Sequence, residues 1–153
     1  MSRVLVSRFS DCEKLAPRLR EADLQEVQAC GVQPLEALQM GFLASRWCFT
    51  AFPDVGEDRP ILRFGVGDFP QESGTGIIWL LGSDDILKVS HEFLRESKWW
   101  IKTFQDHYPI LTNCVDARNV VHIKWLKWLG FRAIKMHAEY GVEKRPFYEF
   151  VRI

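Results

Sequence analysis

The stretch Gly74-Thr75-Gly76-Ile77-Ile78-Trp79-Leu80-Leu81-Gly82-Ser83-Asp84-Asp85 decides the fold. Ile77 to Leu81 is apolar on both parities, as a strand covered by helices on both faces must be, whereas a strand with one wet face would alternate. The run is therefore a central strand, and it is far too short to cross a bilayer. Ser83 and the carboxylates of Asp84 and Asp85 suit the start of a helix, where exposed amides favour negative charge. Ile86, Leu87, Phe93, Leu94, Trp100, Ile101 and Phe104 then keep a three-and-four spacing up to Pro109, which predicts the longest helix of the chain. A buried strand feeding a long amphipathic helix indicates an α/β fold.

Upstream, Arg46 to Phe52 and Pro60 to Val66 are short aromatic and β-branched runs, predicted to be neighbouring antiparallel strands joined by a surface loop over Pro53 to Pro60. Before them, Pro34 opens a helix with Leu35, Leu38 and Phe42 on one face, and Leu24, Val27, Gln28 and Cys30 form another that stops at Gly31. Arg3 to Arg8 predicts an opening strand, with Ser10 and Asp11 as N-cap of a helical stretch through Arg20. Downstream, Ile110 to Val115 predicts a strand, Val120 to Leu129 a helix closed by Gly130, and Phe131 to Tyr140 with Pro146 to Ile153 a closing hairpin. With no internal repeat and no linker, residues 1–153 are read as a single domain.

The 20 basic and 20 acidic side chains cancel, so no global field draws the protein to nucleic acid or to a membrane surface. A local positive stripe, Arg118, Lys124, Lys127, Arg132 and Lys135, suits a CoA 3′-phosphate, DNA, an acidic protein or plain solvent. The opening MSRVLVSRFSD lacks the apolar core and cleavage site of a signal peptide, which predicts a cytoplasmic protein. Cys12, Cys30, Cys48 and Cys114 are scattered without a C-x-x-C pair, so the expectation is buried, reduced thiols, no disulfide framework and no metal site.

Asn119-Val-Val-His122-Ile-Lys-Trp125-Leu-Lys-Trp-Leu129-Gly130-Phe131, together with the order of strands and helices, resembles the last-helix signature of the GNAT fold, that of the acyl-CoA-dependent N-acyltransferases. The resemblance implies a mixed, mostly antiparallel sheet of about six to seven strands flanked by about four to five helices. Trp79-Leu-Leu-Gly-Ser83-Asp84 and His122-Ile-Lys-Trp-Leu-Lys-Trp-Leu-Gly130 further resemble motifs of the internal virion protein A family of short-tailed phages, over roughly residues 19 to 133. That closer likeness implies a phage protein found in the host cytoplasm, the virion or both, with other virion proteins or a host protein as partners.

The GNAT resemblance implies an acetyl-CoA site in the splay between the strand ending at Leu81 and the strand Ile110 to Val115. Its expected cofactor contacts are Leu80, Leu81, Gly82, Ser83, Asn119 and Trp125. If Trp79 or Trp125 fills that splay, no cofactor fits. Two departures weaken catalysis. The family's Gly-rich pyrophosphate loop is replaced by Leu81-Gly-Ser-Asp-Asp85, whose carboxylates repel phosphate, and the position of the family's acidic tyrosine is held by Leu126, which has no proton to give. His122 is the candidate catalytic residue, as a base or a phosphate contact, although a lone histidine without a named partner more commonly serves as a helix residue facing the sheet. Glu149 has no sequence neighbour marking it as a base. The expectation is a GNAT scaffold with a degenerate acyl-CoA site serving a virion or host-directed role, the alternative being an active acetyl-CoA-dependent N-acetyltransferase.

Overall fold

The computed structural model describes residues 3–53, 56–88 and 90–153. Asp54 and Val55 of the expected surface loop, and Val89 of the expected long helix, lie outside the described residues. The elements follow the order β1 (Arg3–Val6), α1 (Asp11–Leu15), a 3-10 turn (Ala16–Arg18), α2 (Glu21–Ala29), α3 (Pro34–Ala44), β2 (Ser45–Phe52), β3 (Leu62–Asp68), β4 (Thr75–Gly82), a second 3-10 turn (Asp84–Lys88), α4 (Ser90–His107), β5 (Ile110–Asp116), α5 (Val120–Trp128), β6 (Arg132–Tyr140) and β7 (Arg145–Arg152).

The strands form one seven-stranded sheet in the order β1-β2-β3-β4-β5-β7-β6, with β4 in the middle as its two-faced apolar pattern requires. Every neighbouring pair is antiparallel except β4 and β5, which run parallel. The parallel step follows from α4, the crossover helix between them. This is the mixed, mostly antiparallel α/β architecture that the element order implies.

Alternate residues of β4 enter two cores. Ile78 and Leu80 join Phe64, Val66, Leu111 and Val115 beneath Phe93, Ile101 and Phe104 of α4 and Leu126 of α5. Trp79 and Leu81 face the other way, against Cys12, Leu15, Val27 and Leu38 of α1, α2 and α3. Burying a side chain of this size is worth about 1.5–3 kcal/mol, so both faces of β4 anchor the domain. Arg63 of β3 is fully buried among polar partners, donating to Thr50 Oγ1 at 3.3 Å, to Cys12 Sγ at 2.6 Å and to the Arg8 carbonyl, which ties the sheet to the start of α1.

Several local expectations are corrected. The long helix does not start at Ser83; Asp84 and Asp85 open a separate 3-10 turn, where Asp85 pairs with Arg18 at 2.8 Å, with Lys88 at 3.2 Å and with Arg59. The Asp85 carboxylate is thus held by three cations, which fix the turn. Ser10 already has helical φ and ψ and makes no side-chain cap, so α1 starts uncapped by its hydroxyl and gives way to a 3-10 turn at Ala16. Of the four free cysteines only Cys12 is buried; Cys30 is exposed, and Cys48 and Cys114 are half-buried.

Candidate functional site

The parallel pairing of β4 with β5 covers only Thr75 to Ile77 against Ile110 to Thr112, although β4 runs on to Gly82 and β5 to Asp116. Beyond those three pairs the strands splay. The gap lies at their carboxyl ends, where sheets of this kind receive ligands.

A cleft of about 330 Å³ enters the splay from the helical face of α4 and α5, lined by Leu80, Phe93, Leu94, Val121, His122 and Trp125. Its outer rim carries Leu87, Lys124 and Trp128. A second cleft, of about 420 Å³, enters from the face of α2 and α3, lined among others by Glu26, Cys30, Cys114, His122 and Tyr140. Leu80 and His122 line both clefts, so the two cavities meet at these side chains. Neither tryptophan fills the gap: Trp125 stacks beside Phe93 with ring centres 6.1 Å apart and donates to Ser97 Oγ at 3.1 Å, and Trp79 turns away to donate to Ser45 Oγ at 2.7 Å.

A buried polar cluster holds the mouth of the splay in shape. The Asp23 carboxylate of α2 accepts from Arg20 Nε at 3.1 Å, Arg20 Nη2 at 2.9 Å, Asn119 Nδ2 at 2.9 Å and the Gly82 amide at 3.0 Å. Arg20 also donates to Asn119 Oδ1 at 3.3 Å. Asn119, which the sequence marks as a cofactor contact, is fully buried in this cluster and fastens the start of α5 to the end of β4. The Ser83 amide and hydroxyl both donate to the Ile61 carbonyl, at 2.8 and 2.9 Å. The Gly82 and Ser83 amides, which in a pyrophosphate loop point at the ligand, here have acceptors within the chain.

His122 is 3% exposed, and neither ring nitrogen has a hydrogen-bond partner. Burial pushes its pKa down to about 4, Arg20 adding to the effect and Asp23 opposing it, so the ring is neutral at physiological pH. A neutral imidazole carries one N–H donor and one lone pair. A pair of this kind, enclosed where two cavities meet and without a partner in the fold, is costly unless a ligand or an ordered water uses it.

Glu26 of α2 reaches the same place from the other side and accepts the Asp116 amide at 2.8 Å. Burial, with Asp23 and Asp116 as like-charged neighbours, raises its pKa to about 8, against the hydrogen bond from the Asp116 amide. Asp23, Glu26 and His122 present ligand-type atoms within 4.8 Å of one another, but four donors already occupy the Asp23 oxygens, which disqualifies it as a metal ligand. Tyr140 lines the second cleft with its pKa pushed up to about 12, chiefly by burial, so it stays a neutral phenol. Leu126 lies fully buried in the core, with no acid in its place.

The structure thus brings Leu80, His122 and Trp125 to the first cleft and Leu80, Leu81 and His122 to the second, and places Gly82, Ser83 and Asn119 in the polar frame around them. Sequence reasoning missed Glu26. Its one signal is Asp23-x-x-Glu26, two acids on one face of a helix with no cation beside the second.

No family model and no curated protein matches the chain. Among solved structures, a GNAT-family acetyltransferase from Bacillus anthracis superposes with a TM-score of 0.72 at 10% identity, covering 99% of this chain and 94% of the other. The ribosomal-protein-S5-alanine acetyltransferase of Vibrio fischeri gives 0.66 at 14% identity over 99% and 92% of the two chains. A Salmonella typhimurium acetyltransferase solved with its cofactor acetyl-CoA gives 0.61 at 10% identity over 99% and 93%. None of these shows a virion protein, so the phage resemblance rests on its quoted motifs alone. At such identities likeness extends to the backbone and not to the site. The fold of this chain is that of the GNAT acetyltransferases.

Proposed function

We propose that the protein is an acyl-CoA-dependent N-acyltransferase whose acyl donor enters between α4 and α5 and whose acceptor amine enters from the face of α2 and α3. The observation that carries this reading is His122, an enclosed and unpartnered imidazole at the junction of the two clefts. A bound acyl-CoA supplies a thioester carbonyl activated toward nucleophiles.

The residues present fit the acyl and pantetheine arm of that cofactor. Leu80, Phe93, Leu94 and Trp125 form an apolar wall, and Lys124 at the rim offers charge to phosphate. Gly82 and Ser83 fit pyrophosphate poorly, since their amides donate within the chain, so phosphate recognition passes to side chains such as Lys124.

Glu26, with a pKa near 8, suits the removal of a proton from an acceptor ammonium near neutrality, because a base works best when its pKa lies close to the working pH. His122, kept neutral, offers an N–H to the oxygen that gains charge when the amine adds to the carbonyl. Leu80 and Trp125 exclude water from that point. With Leu126 in place of an acid, no side chain at that position protonates the departing thiolate.

Calorimetric titration with acetyl-CoA tests the proposal. Saturable binding is expected, abolished by Val121→Trp, which fills the first cleft, and retained in Glu26→Gln, which lies in the second. Absence of heat at millimolar ligand overturns the proposal. A second reading, a scaffold that works by contact with virion or host proteins, draws support from the internally committed Gly82 amide and from the exposed Trp99 and Trp128.

A further inference from the structure

The strands β5, β7 and β6 carry a second cluster, distinct from Glu26 and His122, that borders the second cleft at Cys114. Cys114 of β5 stands directly across from Glu149 of β7, and His137 of β6 lies opposite Phe147, two residues along the same face. Sγ of Cys114, the ring nitrogen of His137 and a carboxylate oxygen of Glu149 all lie within 4.8 Å of one another. His137 Nε2 and Glu149 Oε1 are 2.9 Å apart. All three residues are half-buried, so the cluster is sheltered and still reachable from solvent.

We propose that Cys114, His137 and Glu149 form a binding site for a borderline divalent cation, with Zn²⁺ the best fit. One thiolate, one imidazole and one carboxylate are the three donor types zinc accepts, and hard ions such as Mg²⁺ or Ca²⁺ would not select a set with sulfur and nitrogen. Three protein ligands leave a fourth tetrahedral position open, and Cys114 lines a cleft together with Cys30 and Tyr140. The ligands stand on three hydrogen-bonded strands, so their spacing is set by the sheet and not by mobile loops. The Tyr140 ring lies tilted against that of His137, with centres 5.5 Å apart, and stacks on Phe147 at 4.5 Å, which restricts the imidazole. Admitting the ion requires that the contact between His137 and Glu149 open to the spacing of two ligands of one metal, and that Cys114, whose thiol burial favours, give up its proton and its contact with Tyr140 to the metal.

The site stands apart from acyl-CoA binding, and its test needs no cofactor. Reduced, metal-free protein is titrated with Co²⁺, whose bond to a thiolate gives a charge-transfer absorption. One equivalent is expected to produce that band, and one equivalent of Zn²⁺ to abolish it by displacement. Cys114→Ser removes the band and Cys48→Ser keeps it, while His137→Asn weakens cobalt binding tenfold or more. Zn²⁺ also raises the thermal midpoint of the wild type, since a ligand of the folded state stabilises it, and leaves that of Cys114→Ser unmoved. A wild type without the band, or a Cys114→Ser variant that retains it, overturns the proposal.

Discussion

At the scale of single residues, Glu26 and His122 carry opposite burdens. Glu26 ionises near 8 instead of 4.5, so the folded chain holds its proton more tightly than the unfolded one, and stability falls as pH rises from about 4.5 through 8. His122 ionises near 4 instead of 6.5, so the unfolded chain binds the proton first and stability falls as pH drops from about 6.5 to 4. Between 4.5 and 6.5 the two slopes oppose each other and flatten the profile. Glu26→Gln is expected to unmask the His122 slope, with stability rising from pH 4 to 6.5, and denaturant titrations across that range check it. A profile in Glu26→Gln that stays flat there would refute the assignment. In the acyl-transfer reaction, the wild-type rate at low substrate rises with pH to a plateau above about 8, and Glu26→Gln lowers turnover roughly 10²- to 10⁴-fold with little change in acetyl-CoA affinity.

At the scale of elements, the sequence makes β4 legible because two-faced burial leaves a two-faced apolar pattern. It makes His122 a candidate too, but not its surroundings, because Asp23, Glu26 and Asn119 come together only when α2 docks against the start of α5, across more than ninety residues. The separate 3-10 turn at Asp84–Lys88 was hidden for a related reason: Asp84 and Asp85 look like any helix start until Arg18 and Arg59, distant in sequence, claim Asp85. The metal ligands were invisible as a set, since Cys114, His137 and Glu149 follow no linear spacing and meet by strand register alone. The turn after β6 depends on Gly141 at φ +74, where an added Cβ would run into the Ala29 carbonyl oxygen at the end of α2. Gly141→Ala is expected to destabilise the fold by more than about 1 kcal/mol, since both the backbone conformation and the contact oppose a side chain. Chemical denaturation reads this directly, and an unchanged midpoint would show that the turn yields.

At the scale of the whole molecule, two halves make up one seven-stranded sheet. β1 to β4 carry α1, α2 and α3 on one face, β5 to β7 carry the closing hairpin, and α4 and α5 span both on the other face. The core beneath α4 and α5 draws Leu80 from one half and Leu111, Val115 and Phe150 from the other, so folding joins the halves by packing more than by the ladder between them. Arg63 shows the same logic within the first half, where a charge costly to bury is compensated on three sides by groups from β2, α1 and the segment before α1.

Three residue pairs are all that join β4 to β5 in register. Mechanically, that makes the middle of the sheet a short weld between two stiff plates, with an unwelded slot beyond it. A molecule lodged through the slot acts as a rivet. It touches Leu80 on one plate and His122 beside the other, so its grip is felt by both at once, and amide exchange on β4 and β5 should slow together when it binds.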